Sequence, residues 1–307
     1  MRHFSLLYTI VISLVVTHSA FATRRPVQLP DPAVLREAME RNTESRSHPR
    51  VTEEGASEPD RAIFGQPKKL IALYSGDGAW KLGLRHWKKF LKRYRFSYQT
   101  VSPNDILSGA LTHDRFSAIV MPGGKSWIYL EDLGVEGGEK IRQFVEAGGG
   151  YFGICAGAFY ATSFRQGGRA TGSYGIGLLD GIAFDGTALN VNPFKDGTSW
   201  YPFFLEGFQS QYKILLLGGP SFRYSEYEAQ EKQIEVVSRF RVINEPSVIA
   251  LKYGEGRVIL SGPHPEVDER RTIWGWFFRT DPDSEWPWMA AYMRYITDQG
   301  PKPVVKK

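Results

Sequence analysis

From Lys69 onward, apolar and polar positions follow two rhythms. "KLIALYS", "FSYQTV", "FSAIVMPGG" and "YFGIC" are short apolar runs closed by glycine, proline or charge. Between them lie stretches of helical period: "AWKLGLRHWKKFLKRY", the short "PNDILSG" and "GGEKIRQFVEAGGG". Strands that are apolar throughout, alternating with helices, predict a mostly parallel sheet with helices on both faces. After Cys155 the rhythm changes. "IEVVSRFRV" and "SVIALKYGEGRVILSG" predict strands, the second a hairpin turning at Gly254-Glu255-Gly256. They would form an antiparallel extension of the α/β fold. "DERRTIWGWFFRT" and "WPWMAAYMRYITDQ" predict closing helices, and "GPKPVVKK" a frayed tail over 300–307.

Residues 1–66 carry neither rhythm. "MRHFSLLYTIVISLVVTHSAFATRR" has a basic start, an apolar run from Phe4 to Val16 and then Ala20-Phe21-Ala22. That order predicts a cleavable signal peptide over 1–22, with Thr23 as the first mature residue. The run is short for a spanning helix, which needs about 20 apolar residues. The expectation is an exported protein, periplasmic or secreted, with no stable membrane insertion after cleavage. Residues 23–66 are rich in Pro, Arg, Glu and Ser and predict a flexible arm. Within it "DPAVLREAMERN" could be a short helix capped by Asp31, with Pro32 at its first position. One large unit, 67–299, remains.

Composition narrows the chemistry. The net charge of +5 is mild, and its densest cluster is "WKKFLKRYR". On a helix that cluster turns Trp87, Phe90, Leu91 and Tyr94 inward and its bases to solvent, so nucleic acid is not an expected partner. A single Cys excludes an internal disulfide, and no Cys/His spacing suits zinc, so no metal or cofactor is expected. Trp274, Trp276, Trp286 and Trp288 read as core rather than as a sugar platform.

The lone cysteine stands in "GGGYFGICAGAFYAT", where a strand gives way to a helix. Gly153 and Gly157 flank Cys155 two positions away on either side, as a strained strand-to-helix elbow requires. There the sulfur would sit at the carboxyl end of the sheet, on a helix N-terminus that favours the thiolate. The Ala156 N–H would point at an oxyanion forming beside it. "VMPGG" ends the preceding strand, with Gly123 and Gly124 able to complete an oxyanion hole. "ILSGPHPE" ends a late strand with His264 and Glu266. An extended step through Pro265 would put imidazole and carboxylate on one side, the carboxylate fixing the tautomer. The cleft would also be lined by Ser75, Gly76, Asp77 and Phe159.

"MPGG", "GICAG", "GIGLLDG" (175–181) and "GRVILSGPHPE" resemble the landmarks of the class I glutamine amidotransferase-like superfamily. "GICAGAFYA" and "LLGGPSF" are most similar to the N-terminal domain of biotin–protein ligase. The resemblance spans roughly Lys69 to Asp298. It implies a flavodoxin-like α/β fold, with Cys155 as nucleophile, His264 as general base and acid, Glu266 as its orienting partner, and Gly124 and Ala156 as oxyanion donors. The chain departs from the pattern at Phe159, where glutamine-using members carry Gln. It also shows no "GRGR"-type ligase motif, so biotin transfer is not expected.

Outside the cytosol there is no ATP supply and no synthetase in cis. The resemblance therefore points to a Cys-His-Glu thiol hydrolase of an amide, peptide or γ-glutamyl bond, acting on a small-molecule or peptide substrate. The alternative is a catalytically inactive ligand-binding or scaffold domain on the same fold. Oligomeric state is left open.

Overall fold

The computed structural model describes residues 69–167, 171–185, 201–207, 210–240, 243–267 and 284–298, with 300 and 303. The expected signal peptide, the arm with its short helix, the helix "DERRTIWGWFFRT", Trp274 and Trp276 lie outside the described residues.

The first half of the chain lays down β1 (Leu70–Tyr74), α1 (Lys81–Arg93), β2 (Tyr98–Val101), α2 (Pro103–Leu107), β3 (Phe116–Met121), α3 (Ser126–Glu146), β4 (Gly150–Ile154) and α4 (Ala156–Ala161). Then follow β5 (Thr162–Gln166), β6 (Gly172–Ser173), β7 (Leu179–Phe184), β8 (Tyr201–Gly207), β9 (Ser210–Leu216) and β10 (Ser221–Tyr224). The described elements close with α5 (Glu226–Glu231), β11 (Glu235–Phe240), β12 (Pro246–Tyr253), β13 (Gly256–Ser261) and α6 (Trp286–Ile296).

The main sheet runs β2-β1-β3-β4-β13-β12-β11-β8-β9. Its first five strands pair in parallel, and from β13 to β9 every pairing is antiparallel. This is the flavodoxin-like order with an antiparallel extension. Side chains alternate across the strands: Ile71 and Leu73 pack with α1 and α6, whereas Ala72 and Tyr74 pack with α2, α3 and α4. Both faces of the parallel half are therefore covered, which is why those strands read as unbroken apolar runs. On α1 the apolar stripe Trp87, Phe90 and Leu91 is fully buried. Trp87 meets Phe90 and Phe152 edge-on at 5.5 and 5.3 Å. Truncating such a ring to Ala would cost about 3–5 kcal/mol. Trp286 and Trp288 on α6 are core, as the sequence reading expects.

Two elements differ from the sequence reading. Helix α3 begins at Ser126, eleven residues before the predicted stretch, and Gly134 interrupts it at φ 55°, ψ −162°. The glycine breaks the periodicity that betrayed only the second half. A second sheet, β10-β7-β5-β6, follows α4 directly and was not foreseen. Its strands span two to six residues, too short for a period to declare itself.

Candidate active site

Met121, Ile154 and Ser261 are the last residues of β3, β4 and β13, three neighbouring parallel strands. Each is followed by one part of the candidate site: Gly123-Gly124, Cys155 and His264.

Cys155 has φ 48°, ψ −101°, a left-handed conformation that costs a side-chain-bearing residue of the order of 1–3 kcal/mol. Surrounding contacts hold it there. Its N–H donates to Ser261 O at 2.8 Å, and its carbonyl accepts the first helical bonds from Ala158 and Phe159. The flanking glycines are sterically required. A β-carbon at Gly157 would lie 2.0 Å from Met121 O, and one at Gly153 would lie 2.7 Å from Gly157 O. As the first residue of α4, Ala156 keeps an N–H with no acceptor within the helix.

Beside the elbow, Gly124 pairs with Ala79 across a short bridge. The bridge uses Trp80 N–H to Gly123 O and Lys125 N–H to Gly78 O, both 2.8 Å, and leaves the Gly124 N–H outside it. Gly124 takes φ 144°, and a β-carbon there would strike Gly78 O at 2.0 Å. The buried Tyr129 hydroxyl donates to Pro122 O at 2.9 Å and reaches Gly123 O at 3.4 Å. Tyr151 donates to Gly157 O at 2.7 Å. Two phenols thus brace the two backbone segments that meet at the thiol.

His264 is held at both ends. Its N–H donates to Leu215 O at 2.7 Å, and its Nδ1 lies 2.9 Å from Glu266 Oε1. The expected extended step is not what joins them. Val267 N–H donates to His264 O at 3.2 Å, so Pro265 occupies the second position of a turn that folds Glu266 back toward the ring. Proline presets the backbone for that turn as readily as for extension, so the sequence alone is compatible with both. The imidazole rests edge-on against Trp80 at 5.2 Å and lies over Gly123, where a β-carbon would come within 2.3 Å of its Cε1.

Cys155, His264 and Glu266 are 6, 1 and 0 % exposed. Burial alone would lower the affinity of His264 for a proton. The Glu266 carboxylate and then the Cys155 thiol outweigh it, raising the pKa from 6.5 to about 10. With Nδ1 committed to Glu266, Nε2 is the nitrogen left for the thiol. The two are neighbours rather than well-bonded partners: Nε2 has no hydrogen-bond partner, and the thiol donates to Leu217 O at 3.8 Å. Catalytic contacts often tighten only once substrate is bound.

Of the other expected residues, Phe159 is buried on α4 one turn beyond the thiol, with the Arg165 guanidinium over its ring at 4.4 Å. Ser75, Gly76 and Asp77 follow β1 at the same edge of the sheet and lead into the segment that bridges to Gly124. Ser75 N–H donates to Val101 O and Gly76 O accepts from Ala79 N–H, both 2.9 Å. Three contributors escaped the sequence reading: Trp80, Tyr129 and Gly83. A β-carbon at Gly83 would lie 3.1 Å from Glu266 Oε1 and 2.9 Å from Trp80 Cε3. A glycine inside "KLGLRHW" was the available signal, since it costs a helix about 1 kcal/mol against alanine. Among the described residues no group of three His, Cys, Asp or Glu could hold a metal, and no helix is long and apolar enough to cross a membrane.

The fold matches a solved glutamine amidotransferase with a TM-score of 0.51 at 19% identity, covering 75% of this chain and 99% of that one. The architecture is therefore that of the class I glutamine amidotransferase-like proteins. Residues 70–273 match the family described as biotin-protein ligase, N terminal, and the chain belongs to that family. It is 27% identical over 216 residues to the biotin–protein ligase of Schizosaccharomyces pombe, covering 64% of this chain and 33% of that protein. The chain thus spans about a third of the length of that ligase. An uncharacterized protein of Chlamydia muridarum is 27% identical over 208 residues, covering 64% of this chain and 80% of that one.

Proposed function

We propose that this chain is an exported thiol hydrolase that cleaves an amide, peptide or γ-glutamyl bond and has no biotin ligase activity of its own. One observation carries the reading: a strained Cys155 at φ 48° beside an imidazole whose far nitrogen is tied to a buried carboxylate at 2.9 Å. A group held in that conformation needs a reason beyond packing, and a nucleophile elbow supplies one.

His264 takes the thiol proton, giving a thiolate–imidazolium pair that the Glu266 carboxylate stabilises. Sulfur attacks the carbonyl carbon. The Gly124 and Ala156 N–H groups receive the oxyanion, and the imidazolium returns its proton to the leaving amine as the C–N bond breaks. Water, deprotonated by His264, then attacks the thioester, and the acid departs as the thiolate re-forms. Losing one oxyanion donor would slow turnover by about 10²–10³-fold.

A second reading, a ligand-binding or scaffold domain with an idle site, has its own support. The three side chains are almost wholly buried, and Phe159 with Arg165 over it fills the place where glutamine-using members carry Gln. A screen of amide, dipeptide and γ-glutamyl substrates decides between them. Hydrolysis lost in Cys155→Ala supports the enzyme; hydrolysis equal in the two proteins rejects it.

A further inference from the structure

Arg165 inverts the usual division of a strand. Its side chain is 12 % exposed, whereas its neighbour Phe164 is exposed. Its Nη2 donates to Asp185 Oδ2 at 2.5 Å, with the two side chains 12 and 4 % exposed. Withdrawing such a pair from water costs several kcal/mol per ion, so stability alone is a poor reason to keep it. Moreover the pair is incomplete: Nε is buried without a hydrogen-bond partner.

Its surroundings connect it to the candidate site. The guanidinium lies over Phe159 at 4.4 Å and against Tyr174 at 5.5 Å. Phe159 N–H donates to Cys155 O at 2.9 Å. The Tyr174 hydroxyl lies 2.8 Å from Ser126 Oγ, at the start of α3 and two residues beyond Gly124. Contacts therefore run from the oxyanion loop through Ser126, Tyr174, Arg165 and Phe159 back to the elbow. The cation thus packs on the side chain that stands one helical turn from the thiol.

We propose that Arg165 is a specificity residue that binds a carboxylate carried by the substrate a few bonds from the scissile carbonyl. The assignment rests on the hydrolase reading above and narrows its substrates to amides or peptides with an acidic group. Asp185 takes one corner of the guanidinium and fixes its plane, while donors remain for a second acid group. The aromatic faces of Phe159 and Tyr174 keep water from it, which strengthens a charge-assisted bond.

The test uses the chloromethyl ketone of succinic acid and its methyl ester on the full chain. In each case the thiolate displaces chloride and forms a C–S bond, and mass spectrometry follows the label on Cys155. The acid should label about tenfold faster than the ester, the worth of one charge-assisted hydrogen bond. Arg165→Met should erase that preference, so that acid and ester label at equal rates; a preference surviving in Arg165→Met overturns the proposal. Should that variant fail to fold, the neutral Arg165→Gln carries the comparison, and an undiminished acid preference in it is equally fatal. If neither reagent labels Cys155, the hydrolase reading fails, and Arg165 is judged separately by succinate in a thermal-shift measurement. A stabilisation of the wild type that the Arg165 variant lacks supports the subsite, and no stabilisation of the wild type overturns it.

Discussion

The imidazole of His264 lies directly against Gly123: a β-carbon at that glycine would approach Cε1 to 2.3 Å and Nδ1 to 3.1 Å. The strand end that offers oxyanion donors and the ring that would move protons are thus set by one backbone approach. Gly123→Ala should push the ring off Glu266 and cut hydrolysis by about 10²-fold or more, the loss typical of misplaced catalytic groups. Steady-state rates on whichever substrate the screen yields would check this. A variant with wild-type turnover would show that the ring's seat is unimportant.

Glu266 and Cys155 together raise the proton affinity of His264 against the opposing effect of burial, moving its pKa from 6.5 to about 10. A pKa higher in the folded than in the unfolded chain stabilises the fold fully below pH 6.5. That contribution fades as pH rises from 6.5 through about 10. Denaturant unfolding of the wild type should therefore show stability falling across that window. In Glu266→Gln the raising carboxylate is gone, and the slope should flatten.

Gly83 makes a reversed prediction for a helix. Gly→Ala inside a helix ordinarily stabilises by about 0.5–1 kcal/mol. Here the new methyl would lie 3.1 Å from Glu266 Oε1 and 2.9 Å from Trp80 Cε3. Gly83→Ala should bring no gain in thermal stability and should lower activity by displacing the carboxylate. Melting curves and rates measured together separate the two effects.

Tyr129→Phe keeps the ring and removes the hydroxyl that supports Pro122 O and Gly123 O. Two reagents distinguish a loosened oxyanion loop from general damage. A peptide aldehyde, which forms an oxyanion on reacting with Cys155, should react about tenfold more weakly, while iodoacetamide, which forms none, should be unaffected. Equal losses with both would point to a fold defect instead.

The parallel half of the sheet was legible because strands buried on both faces cannot hide among polar residues: "LIALY", "FSAIVM" and "GYFGI" have no other reading. Around Cys155 the two glycines announced a close approach that the backbone indeed makes. The spacing of His264 and Glu266 points to their pairing but not to the turn that makes it, since proline suits turn and extension alike. Gly134 concealed the first half of α3, and the strands of the second sheet were too brief to carry a period. Tyr129 and Gly83 act across the fold, one on a carbonyl seven positions away and the other on a carboxylate of a remote segment. No local pattern encodes those distances.

The most direct test of the account is the pH dependence of Cys155 alkylation by iodoacetamide in the wild type and in His264→Gln. The imidazolium beside the sulfur should keep the wild-type thiol reactive at pH 6, and the substitution should slow that reaction about tenfold or more. A wild-type thiol that stays inert until the pH nears about 8.5, as a free cysteine does, and that ignores the loss of His264, would contradict it.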